Sequence, residues 1–305
     1  MIHLIQKNRT YFISDLIKGN HMAEILKGAP VVAALQENMI AGIKELARKK
    51  IVPTLCILRV GGRPDDLSYE KSAMKKAAQV GIQVVNTVLP EDVSQDEFDK
   101  TLEAINKDDS VHGVLMFRPL PGHLDEEKAM KLLAPEKDVD GCTDASLAGV
   151  FKNTKTGFPP CTAQAVMEIL KYYDIDAAGK KTCVIGRSLV IGRPVAMMLM
   201  HENATVVNCH TKTKDPEAIA READILVCAS GRLHSIGPEY TNPDQVVIDV
   251  GINWDETKGV ISGDCDFDAV EPIVAAITPV PGGVGGVTSA ILLKHVVEAA
   301  GRTAQ

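Results

Sequence analysis

VIGRSLVIGRP, residues 184–194, joins an apolar strand to a helix. KTCVIG (181–186) reads as the strand and 193–202 as the helix, and such a junction is where α/β folds bind phosphate groups. The loop is neither a Walker A sequence nor G-x-G-x-x-G. Its spacing, Gly186-x-Ser188-x-x-x-Gly192, keeps an early glycine for a tight turn and a late one for close helix packing. By spacing alone it is either a dinucleotide site or an ordinary tight turn.

Alternation continues on both sides of the loop. Helix 162–173 precedes it, and strand ATVVNC (204–209), helix 215–222 and strands DILVCAS (224–230) and QVVIDVG (245–251) follow. Strands and helices in turn build a parallel sheet covered on both faces. CHTKTK (209–214) stands where an NAD site usually carries an acidic residue for the ribose. It has no carboxylate and two lysines, and Arg187 lies in the glycine loop. These groups suit a ribose phosphate, so NADP is favoured with NAD as the alternative; a solvated basic turn reads the same way.

The N-terminal half repeats the theme. An amphipathic helix over 31–50 leads to strand PTLCILRVG (53–61), helix 68–80, strand 82–90, helix 94–107 and strand VHGVLMF (111–117). The stretch 118–160 is rich in proline and glycine and reads as irregular, with one short helix over 125–133. The chain closes with strand AAITPVPG (275–282) and a helix from Thr288 to about Ala300. The fold class is two-domain α/β.

A chain of 305 residues holds two ordinary domains. A net charge of -7 without a basic tract argues against nucleic acid, and no apolar run is long enough for a bilayer. Seven cysteines without Cys-x-x-Cys spacing point to a reducing compartment, the cytoplasm, and against disulfides or structural zinc. Residues 1–21 read as an N-terminal extension or an added leader, without signal-peptide features.

PEKDVDG (135–141), PPCTAQAVMEIL (159–170), VIGRSLVIGRPVA (184–196) and ITPVPGGVGG-VTSA (277–290) occur in one order and spacing. Together they resemble the methylenetetrahydrofolate dehydrogenase/cyclohydrolase family, from Met22 onward. The resemblance implies a folate-binding domain of 22–160 plus 288–305 and a Rossmann-type NAD(P)-binding domain of 161–287. The active site would lie in the cleft between them, in a homodimer. It implies cofactor contacts at Gly186, Arg187, Ser188, Thr211 and Ile252, and a pterin-binding carboxylate at Asp140. It also implies substrate contacts at Tyr69, Phe117, Pro281, Gly282, Gly283 and Val284. The family usually has Pro-Met where this chain has Gly286-Val287.

Two departures fall at one catalytic pair. The family pattern Tyr-Val-x-x-Lys-x-Lys-Ala begins at Tyr69, and Gly81 completes it at the right distance. The catalytic lysine's position, four residues after the tyrosine, is Ala73. The family's Val-Gln-Leu-Pro-Leu-Pro reads MFRPLP here, so Phe117 replaces the glutamine that would bond the lysine, and Arg118 the leucine. Hydride transfer chiefly needs alignment, whereas ring-opening hydrolysis needs proton transfer. The expected activity is therefore an NADP-dependent methylenetetrahydrofolate dehydrogenase with cyclohydrolase weak or absent, catalysis resting on Tyr69 and Asp140. Alternatives are a bifunctional enzyme using Lys76 or Arg118, and a binding paralogue without catalysis. His112, His123, His201, His210 and His234 lack metal-ligand spacing, so no metal is expected. Cys161 reads as packing and Ser188 as cofactor binding rather than nucleophiles.

Overall fold

The computed structural model describes residues 22–303; the extension assigned to 1–21 lies outside them. In chain order the elements are β1 (Glu24–Ile25), α1 (Gly28–Arg48), β2 (Thr54–Val60), α2 (Pro64–Val80), β3 (Gln83–Leu89), α3 (Gln95–Lys107), β4 (Gly113–Met116), α4 (Glu126–Leu132) and α5 (Asp144–Lys152). Then come α6 (Cys161–Tyr172), β5 (Lys181–Ile185), α7 (Gly192–His201), β6 (Thr205–Cys209), α8 (Pro216–Arg221), β7 (Ile225–Cys228) and β8 (Val246–Asp249). A hairpin of β9 (Asn253–Asp255) and β10 (Val260–Ser262), α9 (Phe267–Val270), β11 (Ala276–Ile277) and α10 (Val284–Thr303) complete it.

The first sheet has three parallel strands in the order β3-β2-β4. Its central strand is apolar on both faces because both are covered. Leu55 and Ile57 face α1, α2 and α10, while Cys56, Leu58 and Val60 face α3 and α4. The second sheet has six strands in the order β1-β11-β8-β7-β5-β6, every pairing parallel. Val184, Ile225 and Ile248 pack with α6 and α7, and Leu226 and Val247 on the other face pack with α8 and α9. α10 packs against both α1 and α6, so the two sheets share one continuous core.

Several element boundaries differ from the sequence reading. α2 starts at Pro64, four residues before the expected Ser68; proline at the first position and Asp65 and Asp66 in the first turn are helix-start signals. The last strand pairs only over Ala276–Ile277, not 275–282, because Pro279 and Pro281 have no N–H to give a ladder. The helix expected from Thr288 begins at Val284, since burial of Val284 and Val287 pins a first turn that also holds two glycines. The irregular stretch 118–160 contains α5, capped by Thr143 accepting from the Ser146 N–H and closed by Asn153 at φ 53°. Two residues assigned to the first domain, Glu24 and Ile25, form the edge of the second sheet.

His295 joins α10 to the loop before α5, its Nδ1 lying 2.8 Å from the Val139 carbonyl. The imidazole is 2% exposed, and its burial pulls the pKa from the ordinary 6.5 down to about 4. The native state thus refuses a proton that the unfolded chain accepts. The stability from this group is whole above about pH 6.5 and is lost as pH falls toward 4, a span worth about 3 kcal/mol. Urea unfolding of wild type and His295→Gln at both ends of that span should differ in pH dependence by this amount; parallel profiles would contradict it.

Candidate functional site

α2 presents Tyr69 and, one turn on, Ala73 along one face. The Tyr69 ring lies 5.5 Å from the Phe117 ring, tilted by 48°, as attractive aromatic pairs do. Phe117 follows β4 directly, held by its N–H to the Leu58 carbonyl at 2.9 Å. Desolvation, and then the Asp140 charge, pushes the Tyr69 phenol up to about 12. Tyr69 is therefore a neutral wall and donor, not a base. Ala73 is 7% exposed and lines a narrow pocket between α2 and α10 with Tyr69, Ser72, Lys76 and Leu293.

Asp140 enters from the loop before α5, and Arg118 reaches it from the end of β4, with Nη2 3.5 Å from Oδ2. Burial raises the Asp140 pKa, Arg118 lowers it, and Asp138 raises it again. Asp138 itself is fully buried. It accepts from the N–H groups of Gly141, Cys142 and Thr143 and from the Ser146 hydroxyl, which shapes the loop that carries Asp140.

At the second sheet, Gly186 has φ 129°, and a Cβ there would lie 2.0 Å from the Ala229 carbonyl oxygen. A Cβ on Gly192 would lie 2.2 Å from the Gly186 oxygen. The loop is a backbone cradle only glycine can line. Asn208 Nδ2 donates to the Val184 and Gly186 carbonyls at 2.9 and 2.6 Å, holding it against β6. The Ser188 hydroxyl accepts from the Ile191 N–H at 3.2 Å, while Arg187, Thr211 and Lys212 stand exposed around it. N–H groups at a helix start with cations beside them fit the phosphates of a dinucleotide.

Ile252 is 68% exposed, and its Cδ1 lies 3.8 Å from where a Cβ on Gly285, in the first turn of α10, would be. Of the loop 281–284, Pro281 and Gly282 are exposed, whereas Val284 is 3% exposed and turns its side chain into the core. Val284 therefore offers the site only backbone. Gly28 was not anticipated: its N–H bonds the Gly282 carbonyl at 2.8 Å, and a Cβ there would lie 2.1 Å from the Gly283 oxygen.

Asp249 and Asp264 were also missed. Asp249 accepts from the N–H groups of Gly251, Asp264 and Cys265, and Asp264 accepts from the Gly231 N–H and the Asn253 amide. They brace both sides of Ile252. Their sequence signal is an acid beside glycine at a strand end, in DVG and GDCD. Among the described residues no three His, Cys, Asp or Glu side chains gather as metal ligands. No helix among them is long and apolar enough to cross a membrane.

A glycine cradle at the end of one parallel sheet, with a second constellation of side chains on a smaller parallel sheet, defines a dinucleotide-binding two-domain α/β enzyme. Residues 26–140 match the catalytic domain of tetrahydrofolate dehydrogenase/cyclohydrolase, and residues 160–304 match that family's NAD(P)-binding domain. The chain belongs to the tetrahydrofolate dehydrogenase/cyclohydrolase family. It is 52% identical over 279 residues to the bifunctional protein FolD of Carboxydothermus hydrogenoformans, covering 91% of this chain and 97% of that one. The crystal structure of the bifunctional FolD enzyme of Campylobacter jejuni has a TM-score of 0.89 at 37% identity, covering 92% of this chain and 99% of that one. The Trypanosoma brucei FolD structure, complexed with NADP cofactor and an inhibitor, has a TM-score of 0.85 at 33% identity, covering 93% and 99%.

Proposed function

We propose that this protein is a methylenetetrahydrofolate dehydrogenase, passing hydride from 5,10-methylenetetrahydrofolate to NADP, with cyclohydrolase activity weak or absent. The observation that carries the second half is the pairing of Tyr69 with Phe117 at 5.5 Å. An aromatic ring occupies the strand end where the family's glutamine would act, and Ala73, which lines a pocket with Tyr69, carries no titratable group of its own. Dehydrogenation needs alignment more than proton transfer. Asp140 grips the pterin, Tyr69 and Phe117 form an apolar wall, and the loop 281–284 backs the substrate. The Gly186–Ser188 loop holds the pyrophosphate, Arg187, Thr211 and Lys212 favour a ribose phosphate and hence NADP over NAD, and Ile252 borders the nicotinamide. The nucleotide, when bound, supplies the hydride acceptor.

The same reading takes 22–160 with 288–305 as the folate domain and 161–287 as the nucleotide domain, in a cytoplasmic homodimer. Phe151 on α5 and Met200 on α7, 70% and 50% exposed, are apolar side chains that a second copy would cover. Spectrophotometric assay of both steps with NADP and NAD tests the activity. NADPH should form while methenyltetrahydrofolate hydrolyses at least about 10²-fold more slowly than the hydride step; comparable rates would sink the proposal.

One observation favours a bifunctional second reading. Lys76 lines the pocket beside Tyr69 and Ala73, and desolvation lowers its pKa, as a proton-transfer lysine requires. In that case Lys76→Ala abolishes hydrolysis and spares hydride transfer.

A further inference from the structure

Arg118 leaves the end of β4 with its guanidinium between two carboxylates. Nη2 lies 3.5 Å from Asp140 Oδ2, and Nη1 lies 3.8 Å from Glu126 Oε1. Glu126 is itself fixed, since its other oxygen accepts the Leu120 N–H at 2.9 Å. Arg118 is 25% exposed and rests against Met130 Sδ at 3.7 Å. It is a held charge, not a loose surface one.

We propose that Arg118 is a positioning residue for the folate site, the counter-charge that keeps Asp140 ionised once a pterin excludes water from it. The proposal rests on the reading of Asp140 as the pterin acceptor. An ionised carboxylate accepts two parallel N–H bonds; a protonated one turns half of that acceptor face into a donor. Excluding water makes the charge harder to keep and its attraction to a nearby cation stronger.

The other groups around Asp140 do not supply that charge. Asp138, on the same loop, opposes ionisation. Tyr69 on α2 stays neutral, as do the buried thiols of Cys142 on the loop and Cys161 at the head of α6. His295 on α10 is neutral near pH 7 and is engaged by the Val139 carbonyl. Glu126 on α4 is an acid that steadies Arg118. A guanidinium is permanently charged, so Arg118 works at every pH at which the protein is folded.

The test is kcat and KM for methylenetetrahydrofolate across about pH 5 to 9, in wild type, Arg118→Leu, Arg118→Lys and Asp140→Asn. Arg118→Leu should move the acid limb of kcat/KM up by about one pH unit and raise the folate KM about tenfold below it. The NADP KM should hold, and kcat should fall less than the folate KM rises. Arg118→Lys, which keeps the charge without the fork, should return the limb most of the way. An unmoved limb in Arg118→Leu overturns the proposal, as does a pH-independent loss that lysine fails to rescue. If Arg118→Leu does not fold, Arg118→Gln carries the same expectation and the same overturning result. Asp140→Asn separates the two ideas. An unchanged folate KM in that variant removes the reading of Asp140 itself. A raised KM and flattened limb there, with Arg118→Leu unmoved, removes only the role of Arg118.

Discussion

Replacing Ala73 by lysine together with Phe117 by glutamine is expected to raise methenyltetrahydrofolate hydrolysis by about 10²-fold. That is the lower end of what positioned acid–base catalysis supplies. The lower end applies because the pocket at Ala73 is narrow and holds a lysine only after repacking. Ala73 lines this pocket with Tyr69, so a lysine stem from that turn must push neighbouring side chains aside to run beside the phenol. Desolvation there would lower the ammonium's pKa, as it already does for neighbouring Lys76. Glutamine at 117 supplies a carbonyl to orient the ammonium and removes the ring packed at 5.5 Å against Tyr69.

Each single variant should gain far less. Lysine alone lacks the carbonyl that would orient it, and glutamine alone adds no titratable group. Phe117 is 6% exposed, so burying an amide there costs about 1–3 kcal/mol and lowers the thermal midpoint by several degrees. Hydride transfer, which needs alignment only, should change little by comparison. Stopped-flow decay of the methenyl chromophore in wild type, both singles and the double measures all of this. A folded, dehydrogenase-competent double variant with no gain would mean that Ala73 and Phe117 do not limit hydrolysis in this chain.

What could be read without the structure follows from the range of the forces involved. The junction at 184–194 was legible because a strand, a glycine turn and a helix are local and periodic. Gly186 and Gly192 then meet Ala229 and each other at distances that exclude a Cβ. α5 was obscured by the prolines and glycines around it, although Thr143 and Asn153 mark both its ends. β1 had no local signature, since two residues pair with Ala276 and Ile277 only after the whole chain has closed. The same holds in the site. Tyr69, Phe117 and Asp140 were singled out by their motifs. The approach of Arg118 to Asp140, 22 residues apart with α4 between them, is a tertiary fact.

The motif PEKDVDG holds two aspartates, and the sequence drew attention to the wrong one for stability. Asp140 is one-third exposed at its side chain, 34%, while Asp138 is 0% exposed. Asp138 Oδ1 accepts the Gly141 and Cys142 N–H groups, both at 3.0 Å. Its Oδ2 accepts the Thr143 N–H at 2.8 Å and the Ser146 hydroxyl at 2.6 Å. Ser146 in turn accepts the Phe158 N–H at 3.3 Å, so one carboxylate ties the loop, the first turn of α5 and the approach to α6. Asp138→Ala strands buried donors, each costing about 1–3 kcal/mol; partial relaxation brings the expected loss to about 4 kcal/mol. Asp138→Asn should be nearly as damaging, because an amide NH₂ in place of Oδ2 faces two donors instead of accepting from them. In a chain of this size that loss lowers the thermal midpoint by about 6 °C, and the folate KM should rise with it as Asp140 loses its support. Asp140→Asn, by contrast, should leave the midpoint nearly in place and act on the folate KM alone. Calorimetric midpoints and folate KM values for both asparagine variants decide the matter. An Asp138→Asn protein within about 1 kcal/mol of wild type would show that the carboxylate's bonds are replaceable and that the loop holds its shape by packing.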